Sequence, residues 1–312
     1  TGDTGQINNL STDLVAGLSA SQVTALSDKQ VASLSAEQLA AMSTEQLAAI
    51  NNKDLAGLAN DKINALSAEQ FNAFDAAQVK TLTVDQVGHL DEEILQGLGS
   101  EEIQAFTAAQ LKALTTDQVK KFSAEQIAMF STASDNNQIA SLSAAQIGAL
   151  SGDQVAGFTV EQIGKFSAAQ VAGFTATQAP SLTTAQVGAM TDKQIAAITT
   201  TAFAKLSTDV IAGLKTAIAD GDTTSKLSQI QALTAAQIAE LDEGQIQALT
   251  SGEDGQIAAL APKQITAFSK GQLNKMSTEQ IGSITSPQIA LMTFTGDTGQ
   301  INNLSTDLVA GL

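Results

Sequence analysis

The chain of 312 residues contains no cysteine, tryptophan, tyrosine or arginine, and only one histidine. Without cysteine, a disulfide scaffold is excluded, and one histidine alone cannot form a zinc site. The 15 basic residues, all lysine, are outnumbered by 32 acidic residues, which give a net charge of −17. We therefore expect neither nucleic acid nor an anionic membrane surface as a partner. No apolar run approaches the roughly 20 residues of a membrane span, so we expect no membrane insertion.

What the chain does contain is repetition on two scales. Its first eighteen residues, TGDTGQINNLSTDLVAGL, return letter for letter at 295–312, which sets a long period of 294 residues. Inside this period runs a unit of eight residues with the consensus [ST]-x-[ED]-Q-[ILV]-x-x-[LFMI]; 36 units that match it fully or in part can be placed. We expect one continuous array over 1–312, in which 295–312 restarts the long period begun at 1–18.

Each unit, here called an octad with positions 1 to 8, carries its own signal for starting a helix. Ser or Thr at position 1 and Gln at position 4 have the spacing of a capping box, and 28 octads carry this Gln. An acid at position 3, as in Glu37 and Asp85, lies in the first turn, where the helix dipole favours negative charge. Positions 5 and 8 are the regular large apolar sites and share one helical face.

These signals predict an all-α fold, a solenoid of helices about one and a half turns long, with one helix per octad. The alternative is one continuous helix. In that case the apolar stripe would wind around the rod, and a cap signal every eight residues would have no role. We expect the side chains at positions 5 and 8 to be buried, among them Phe158 at position 8, and Glu37, Glu45 and Lys53 to be solvated.

The size of one coil is predicted from irregular octads. Octads without Gln that carry Gly at position 7 occur at 11–18, 51–58 and 91–98, and an insertion follows at 131–142. This spacing of five octads predicts about five octads, or 40 residues, per coil. For the position-4 glutamines two structural roles remain open. The amide can cap the N–H of its own position 1, or amides of successive coils can stack in ladders.

Residues suited to chemistry are few. His89, the single histidine, is expected to be a variable, exposed residue at a helix end, because no nucleophile motif accompanies it. Asp220, Asp222 and Thr224 resemble the opening of a calcium loop, although Ser225 replaces the required Gly and Gln231 the closing Glu. These three are the weak calcium candidates. Otherwise we expect no catalytic residue, no metal site and no cofactor.

Stretches such as LSAEQLAAMSTEQLAAI, FSAEQIAMF, LTAAQIAEL and SLSAAQIGALSGDQVAGF resemble the octapeptide repeats of very large, acidic, cysteine-free surface or secreted proteins of bacteria. The resemblance covers almost the whole chain. It implies an extracellular or cell-surface setting of the adhesin or biofilm-matrix type, and it carries over no catalytic residue.

The function expected from these features is structural. The chain is interpreted as a non-catalytic segment of a long extracellular bacterial filament or stalk. Its partners are neighbouring copies of the same unit, head to tail as separate subunits or within one giant polypeptide. The alternative is an adhesin-type binding module that contacts a glycan or another cell through its insertion loops. An enzyme is not expected.

Overall fold

In a computed structural model, residues 7–217, 227–293, 299–301 and 304 are described. These residues form short helices joined by bends, and none of them lies in a strand. The all-α fold and the solenoid of short helices predicted from the octad are thereby confirmed. The chain divides into two compact units, Thr1–Leu150 and Ser151–Leu312.

The described residues of the first unit, 7–150, form seventeen α-helices. A 3-10 helix, Ile7–Asn9, precedes α1 Thr12–Ala16, α2 Ala20–Thr24, α3 Asp28–Ser33, α4 Ala36–Ala40, α5 Thr44–Ala48, α6 Asn52–Ala56, α7 Asn60–Ile63, α8 Ala68–Phe71, α9 Ala76–Thr81, α10 Val84–Gly88, α11 Glu92–Gly97, α12 Ser100–Ala105, α13 Ala108–Ala113, α14 Thr116–Val119, α15 Ala124–Ala128, α16 Gln138–Ser141 and α17 Ala144–Ala149.

The described residues of the second unit repeat the same plan, with two 3-10 helices, Ala179–Ser181 and Pro262–Ala267, in place of α-helices. Its α-helices are α18 Gly152–Gly157, α19 Val160–Gly164, α20 Ala168–Val171, α21 Thr184–Gly188, α22 Asp192–Ala197, α23 Thr200–Phe203, α24 Thr208–Ala212, α25 Ala235–Ala239, α26 Glu243–Ala248, α27 Gln256–Ala259, α28 Lys270–Leu273, α29 Thr278–Gly282 and α30 Ser286–Ile289.

In octads of standard length, each α-helix begins at the residue after its position-1 cap, as α4 shows. Ser35 has extended backbone (φ −75°, ψ 165°), and its hydroxyl accepts a hydrogen bond from the backbone N–H of Gln38 at 3.1 Å. The Gln38 side chain accepts in return from the Ser35 N–H at 2.8 Å, which completes the capping box. The helix must end within the octad because the next cap requires extended backbone. The helices are therefore four to six residues long.

The core consists of the side chains at positions 5 and 8. Leu39, Met42, Leu47, Ile50, Phe71 and Phe74 are all at most 3% exposed. Glu37, Glu45 and Lys53 are exposed, so the predicted register of burial is confirmed. Phenylalanines at position 8 of successive octads meet in the interior. The Phe158 and Phe166 rings contact edge to face, with centroids 5.1 Å apart.

The number of octads per coil differs from the prediction. Within each unit, a helix packs against the helix three octads further on, as α1 does against α4 and α24 against α26. Position-4 side chains reach the octad four units back, as Gln46 does to Leu18. One coil therefore holds between three and four octads, and the predicted five is wrong. A ring of five would leave a central space wider than two large side chains per octad can fill, whereas this interior is packed.

Some glycines allow neighbouring coils to approach closely. A Cβ built on Gly97, at position 7, would overlap the Cβ of Ala68, and one on Gly213 would overlap the Cγ2 of Thr184. In both pairs, position 7 of one octad meets position 2 of the octad three units earlier. At Gly57 the nearest atoms are at ordinary contact distance, so this close approach is local.

Candidate functional site

The most regular polar feature of the structure is the position-4 glutamine, which bonds in two directions at once. In Gln46 the Oε1 atom accepts from the Ser43 N–H at 2.7 Å. Its Nε2 atom donates to the carbonyl oxygens of Val15 at 3.0 Å and Leu18 at 2.6 Å. One buried amide thus satisfies a free N–H at the start of its own helix and free carbonyls at the end of a helix in the previous coil. We call this arrangement the glutamine clamp.

The clamp keeps one register wherever the structure shows its bonds. Gln86 donates to the carbonyls of Leu55 and Leu58, at 2.9 and 2.8 Å, which are positions 5 and 8 of the octad four units earlier. Gln288 in the second unit does the same with Ile257 and Leu260, both at 2.8 Å. The clamp is therefore the element that fixes one coil on the next.

Both sequence hypotheses for these glutamines can now be compared with the structure. The cap on the position-1 N–H is confirmed, as in the 2.7 Å bond from Thr107 to Gln110. The amide ladder is wrong, because the Nε2 partners are backbone carbonyls, as for Gln110 with Val79 and Leu82. The second half of the clamp was missed. It could have been predicted from the last carbonyls of each short helix, which have no intrahelical partner and therefore need a donor from elsewhere.

Each insertion lies in the chain between the position-1 residue and the glutamine of its octad, and the hydrogen bond between these two residues is kept. The Ser131 N–H donates to Gln138 Oε1 at 2.7 Å, although seven residues separate them where three are usual. Gln138 Nε2 still reaches Ile103 and Phe106, four octads back, at 2.6 and 2.7 Å. The same closure occurs between Lys215 and Gln229, between Thr250 and Gln256, and between Thr293 and Gln300. Residues 131–137 therefore form a loop whose base the clamp closes.

Octads without Gln show what the clamp requires. Lys62 takes the same position and donates its Nζ to the Ala32 carbonyl, four octads back, at 2.5 Å, so it keeps the donor half. Leu14 provides neither half and is 59% exposed. Asp54 and Glu102 are buried carboxyls, 3% and 6% exposed, which have no N–H to donate. The octads at 11–18, 51–58 and 91–98, whose spacing predicts five octads per coil, all lack the clamp glutamine.

The remaining candidate residues are not brought together. His89 is an exposed helix-end residue, as expected, and its Nδ1 donates to the Asp85 carbonyl at 2.7 Å. Asp220, Asp222 and Thr224 lie outside the described residues. Among the residues that the structure does describe, no three His, Asp or Glu side chains are grouped as metal ligands. In that same part of the chain, no helix is both long and apolar enough to cross a membrane.

Comparison with known proteins supports a repeat region in part of the chain. Residues 95–132 match the family model of the ALTTAQ repeat. This segment runs from α11 into the insertion at 131–142 and includes the stretch ALTTDQ at 113–118. No curated protein matches the chain. The chain thus contains a recognised repeat region, in a fold built from short helices.

Proposed function

We propose that this chain is a non-catalytic structural segment of a long extracellular bacterial filament or stalk. The observation that carries this proposal is the constant register of the glutamine clamp. Where the structure shows its bonds, each glutamine clamp reaches the octad four units earlier, as Gln46 does to Leu18. Interactions of this kind extend a stack by one coil at a time, which is how solenoids gain length.

The surface supports a structural role. Every phenylalanine that the structure describes is buried in the interior. Since glycans and many protein partners are bound on exposed aromatic rings, the described surface lacks the usual anchors of a binding site. The large apolar side chains that are exposed, Leu14, Val84, Val160, Leu227 and Leu291, are far apart in the chain. The partners we propose are neighbouring copies of the same unit.

The extracellular setting is supported by composition and by resemblance. The chain is acidic and free of cysteine, as are the giant bacterial surface and secreted proteins whose octapeptide repeats it resembles. A biofilm matrix or a cell surface would suit such a stalk. The return of residues 1–18 at 295–312 supports a structure that advances by 294 residues per period, in one polypeptide or through subunits joined head to tail.

Electron microscopy of tandem periods tests the proposal. Recombinant chains of one, two and three periods of 294 residues would be imaged by negative stain under identical conditions. We expect narrow rods of one diameter whose length increases by the same increment with each period. Particles that broaden, or whose length does not increase, would contradict the filament. Imaging of the native material would then distinguish one polypeptide from assembled subunits.

The alternative function is an adhesin-type binding module. It is favoured by the insertions, since the clamp from Ser131 to Gln138 closes a loop without changing the register of the coil. The test trims residues 131–142 to a standard octad and measures binding of the chain to immobilised glycans and to cells. Loss of binding on trimming would support an adhesin. Absence of binding by the unmodified chain would leave the structural function as the better account.

A further inference from the structure

Asp54 is an exception among the clamp positions. It occupies position 4 of the octad NNKDLAGL and is only 3% exposed. Its Oδ2 atom accepts from the Asn51 side-chain amide at 3.3 Å. Its Oδ1 atom is buried without any hydrogen-bond partner. A buried acceptor with no donor is costly, so this carboxyl needs an explanation of its own.

The neighbouring octads show which part of the previous coil Asp54 should face. We call the contact between the octads at 51–58 and 19–26 the joint. One octad earlier, Gln46 donates to the octad at 11–18, and one octad later, Lys62 donates to the octad at 27–34. Position 4 of the octad between them therefore belongs against the octad at 19–26. The clamp carbonyls of that octad would be those of Val23 and Leu26. An ionised carboxylate only accepts hydrogen bonds, so it cannot donate to them.

The charged residues around this joint come from three helices. The helix of Asp54, α6, packs against α3, which carries Asp28 and Lys29, and against α9, which carries Lys80. Asp75 caps α9, and Lys53 precedes Asp54 in α6. The ammonium group of Lys53 is paired with Asp28, and both of these side chains are mostly exposed.

These surroundings favour the neutral form of Asp54. Burial raises the pKa of the Asp54 carboxyl above its ordinary 3.8, and the neighbouring Asp28 carboxyl raises it further. The Asn51 hydrogen bond and the Lys53 charge oppose this effect. The pKa of Asp28 is lowered instead, chiefly by its hydrogen bond to Lys53. As the pH falls, the buried carboxyl of Asp54 is therefore protonated before the exposed carboxyl of Asp28.

We propose that Asp54 is a proton-operated form of the clamp, which adds a hydrogen bond to the octad at 19–26 when its carboxyl is neutral. This bond would supplement the one that the Asn51 side-chain amide donates to the Thr24 carbonyl of that octad at 3.2 Å. The protonated carboxyl has an O–H that donates to a clamp carbonyl, as Nε2 does in glutamine. The ionised carboxyl can only accept hydrogen bonds, as can the carbonyl that it faces, so the joint is weakened. The clamps formed by glutamine are amides, which do not titrate, so this joint should respond to pH while the glutamine clamps do not.

The sign of the pH dependence follows from the raised pKa. Asp54 binds its proton more tightly in the folded than in the unfolded chain, so its contribution to stability is complete below the unfolded pKa. That contribution is lost as pH rises through the folded pKa. The joint should therefore be tightest in acid.

The test uses the full chain and two independent measurements. Carbon NMR of selectively labelled aspartate follows the Asp54 carboxyl from pH 3 to pH 8, which requires no variant. Hydrogen exchange, corrected for the intrinsic rate at each pH, follows the backbone amides of 19–26 and 51–58. We expect Asp54 to titrate above its ordinary pKa, with protection at the joint falling about tenfold per pH unit between the unfolded and folded pKa values.

Matched variants separate the proton from a general effect of charge. Asp54→Gln restores the usual clamp, so protection at the joint should become independent of pH and match the acidic wild-type protein. Asp61→Asn removes an exposed carboxylate from the next helix and should retain the wild-type pH dependence. Titration of Asp54 at or below its ordinary pKa would overturn the proposal, whatever the variants do. So would an unchanged pH dependence in Asp54→Gln.

A cation at the same carboxyls would give a different result. The exchange measurement is therefore repeated at pH 7 with millimolar calcium and with a chelator. Equal protection in both is expected for a proton-operated joint. Calcium-dependent closure at neutral pH would overturn the proposal by assigning Asp54 and Asp28 to a metal ion.

Discussion

The glutamine clamp predicts a specific cost for removing one amide from the middle of the first unit. Gln110 is 1% exposed, its Oε1 accepts from the Thr107 N–H at 2.7 Å, and its Nε2 donates to Val79 and Leu82 at 2.9 and 2.8 Å. Gln110→Ala leaves the Thr107 N–H and the Leu82 carbonyl without these partners. Each unsatisfied buried group costs roughly 1–3 kcal/mol, so we expect a loss of about 2–6 kcal/mol in the free energy of local unfolding.

A second substitution separates the two halves of this clamp. Gln110→Glu keeps an acceptor for the Thr107 N–H, in a position where the helix dipole favours negative charge. At neutral pH it has no donor for Val79 and Leu82. We therefore expect it to preserve protection at the start of α13 while protection at the end of α9 falls. Gln110→Ala should reduce protection at both.

The assay is hydrogen exchange with peptide resolution, since the chain has no tryptophan or tyrosine for fluorescence. Gln104→Ala is the control, because it removes an exposed glutamine side chain from the preceding octad. The control should change the free energy by less than about 0.5 kcal/mol, as surface substitutions usually do. If Gln110→Ala costs no more than this control, the clamp does not hold the coils together and the reasoning fails.

Three further substitutions test the cap, the core and the close approach of coils. Thr107→Ala removes the hydroxyl that caps α13 and should cost about 1 kcal/mol in local unfolding free energy by hydrogen exchange. Phe158→Ala should cost about 3–5 kcal/mol by the same measurement, and a cost below about 1 would show that this site is not core. Gly97→Ala should lower the midpoint of urea unfolding, followed by circular dichroism, because the Cβ of the new alanine would overlap Ala68. The control, Gly57→Ala, should leave this midpoint nearly unchanged.

The local structure was predictable because each octad contains its own instructions. The cap at Ser35 and Gln38 and the burial of Leu39 and Met42 depend on residues at most seven positions apart, so the eight-residue pattern contains them. The sequence therefore predicted short helices, their starting points and the apolar face that they bury.

The coil was not predictable in the same way. The number of octads per turn depends on the angle between successive helices, which is set where side chains of different octads meet. An eight-residue pattern is the same for three, four or five octads per turn. The irregular octad at 51–58 contributes to the prediction of five octads per coil, but what distinguishes it in the structure is the buried Asp54 in place of the clamp glutamine. The second bond of the glutamine was missed for the same reason, since its partner lies 28 to 31 residues away in uninterrupted stretches.

Insertions such as 131–142 leave the clamp register unchanged. The partner of each clamp is therefore set by the number of octads that separate the two sites and does not depend on the number of residues between them. Gain or loss of one complete octad moves every later unit by one place onto an equivalent partner. Unequal recombination between repeats can therefore alter the length of a descendant chain without a new solution to its packing. Deletion of a few residues outside the loops has no such equivalent state and breaks the phase. Pairs matched across coils, such as Gly97 with Ala68, limit this freedom. Where they occur, a deleted octad sets a larger side chain against its neighbour, and selection should preserve the spacing.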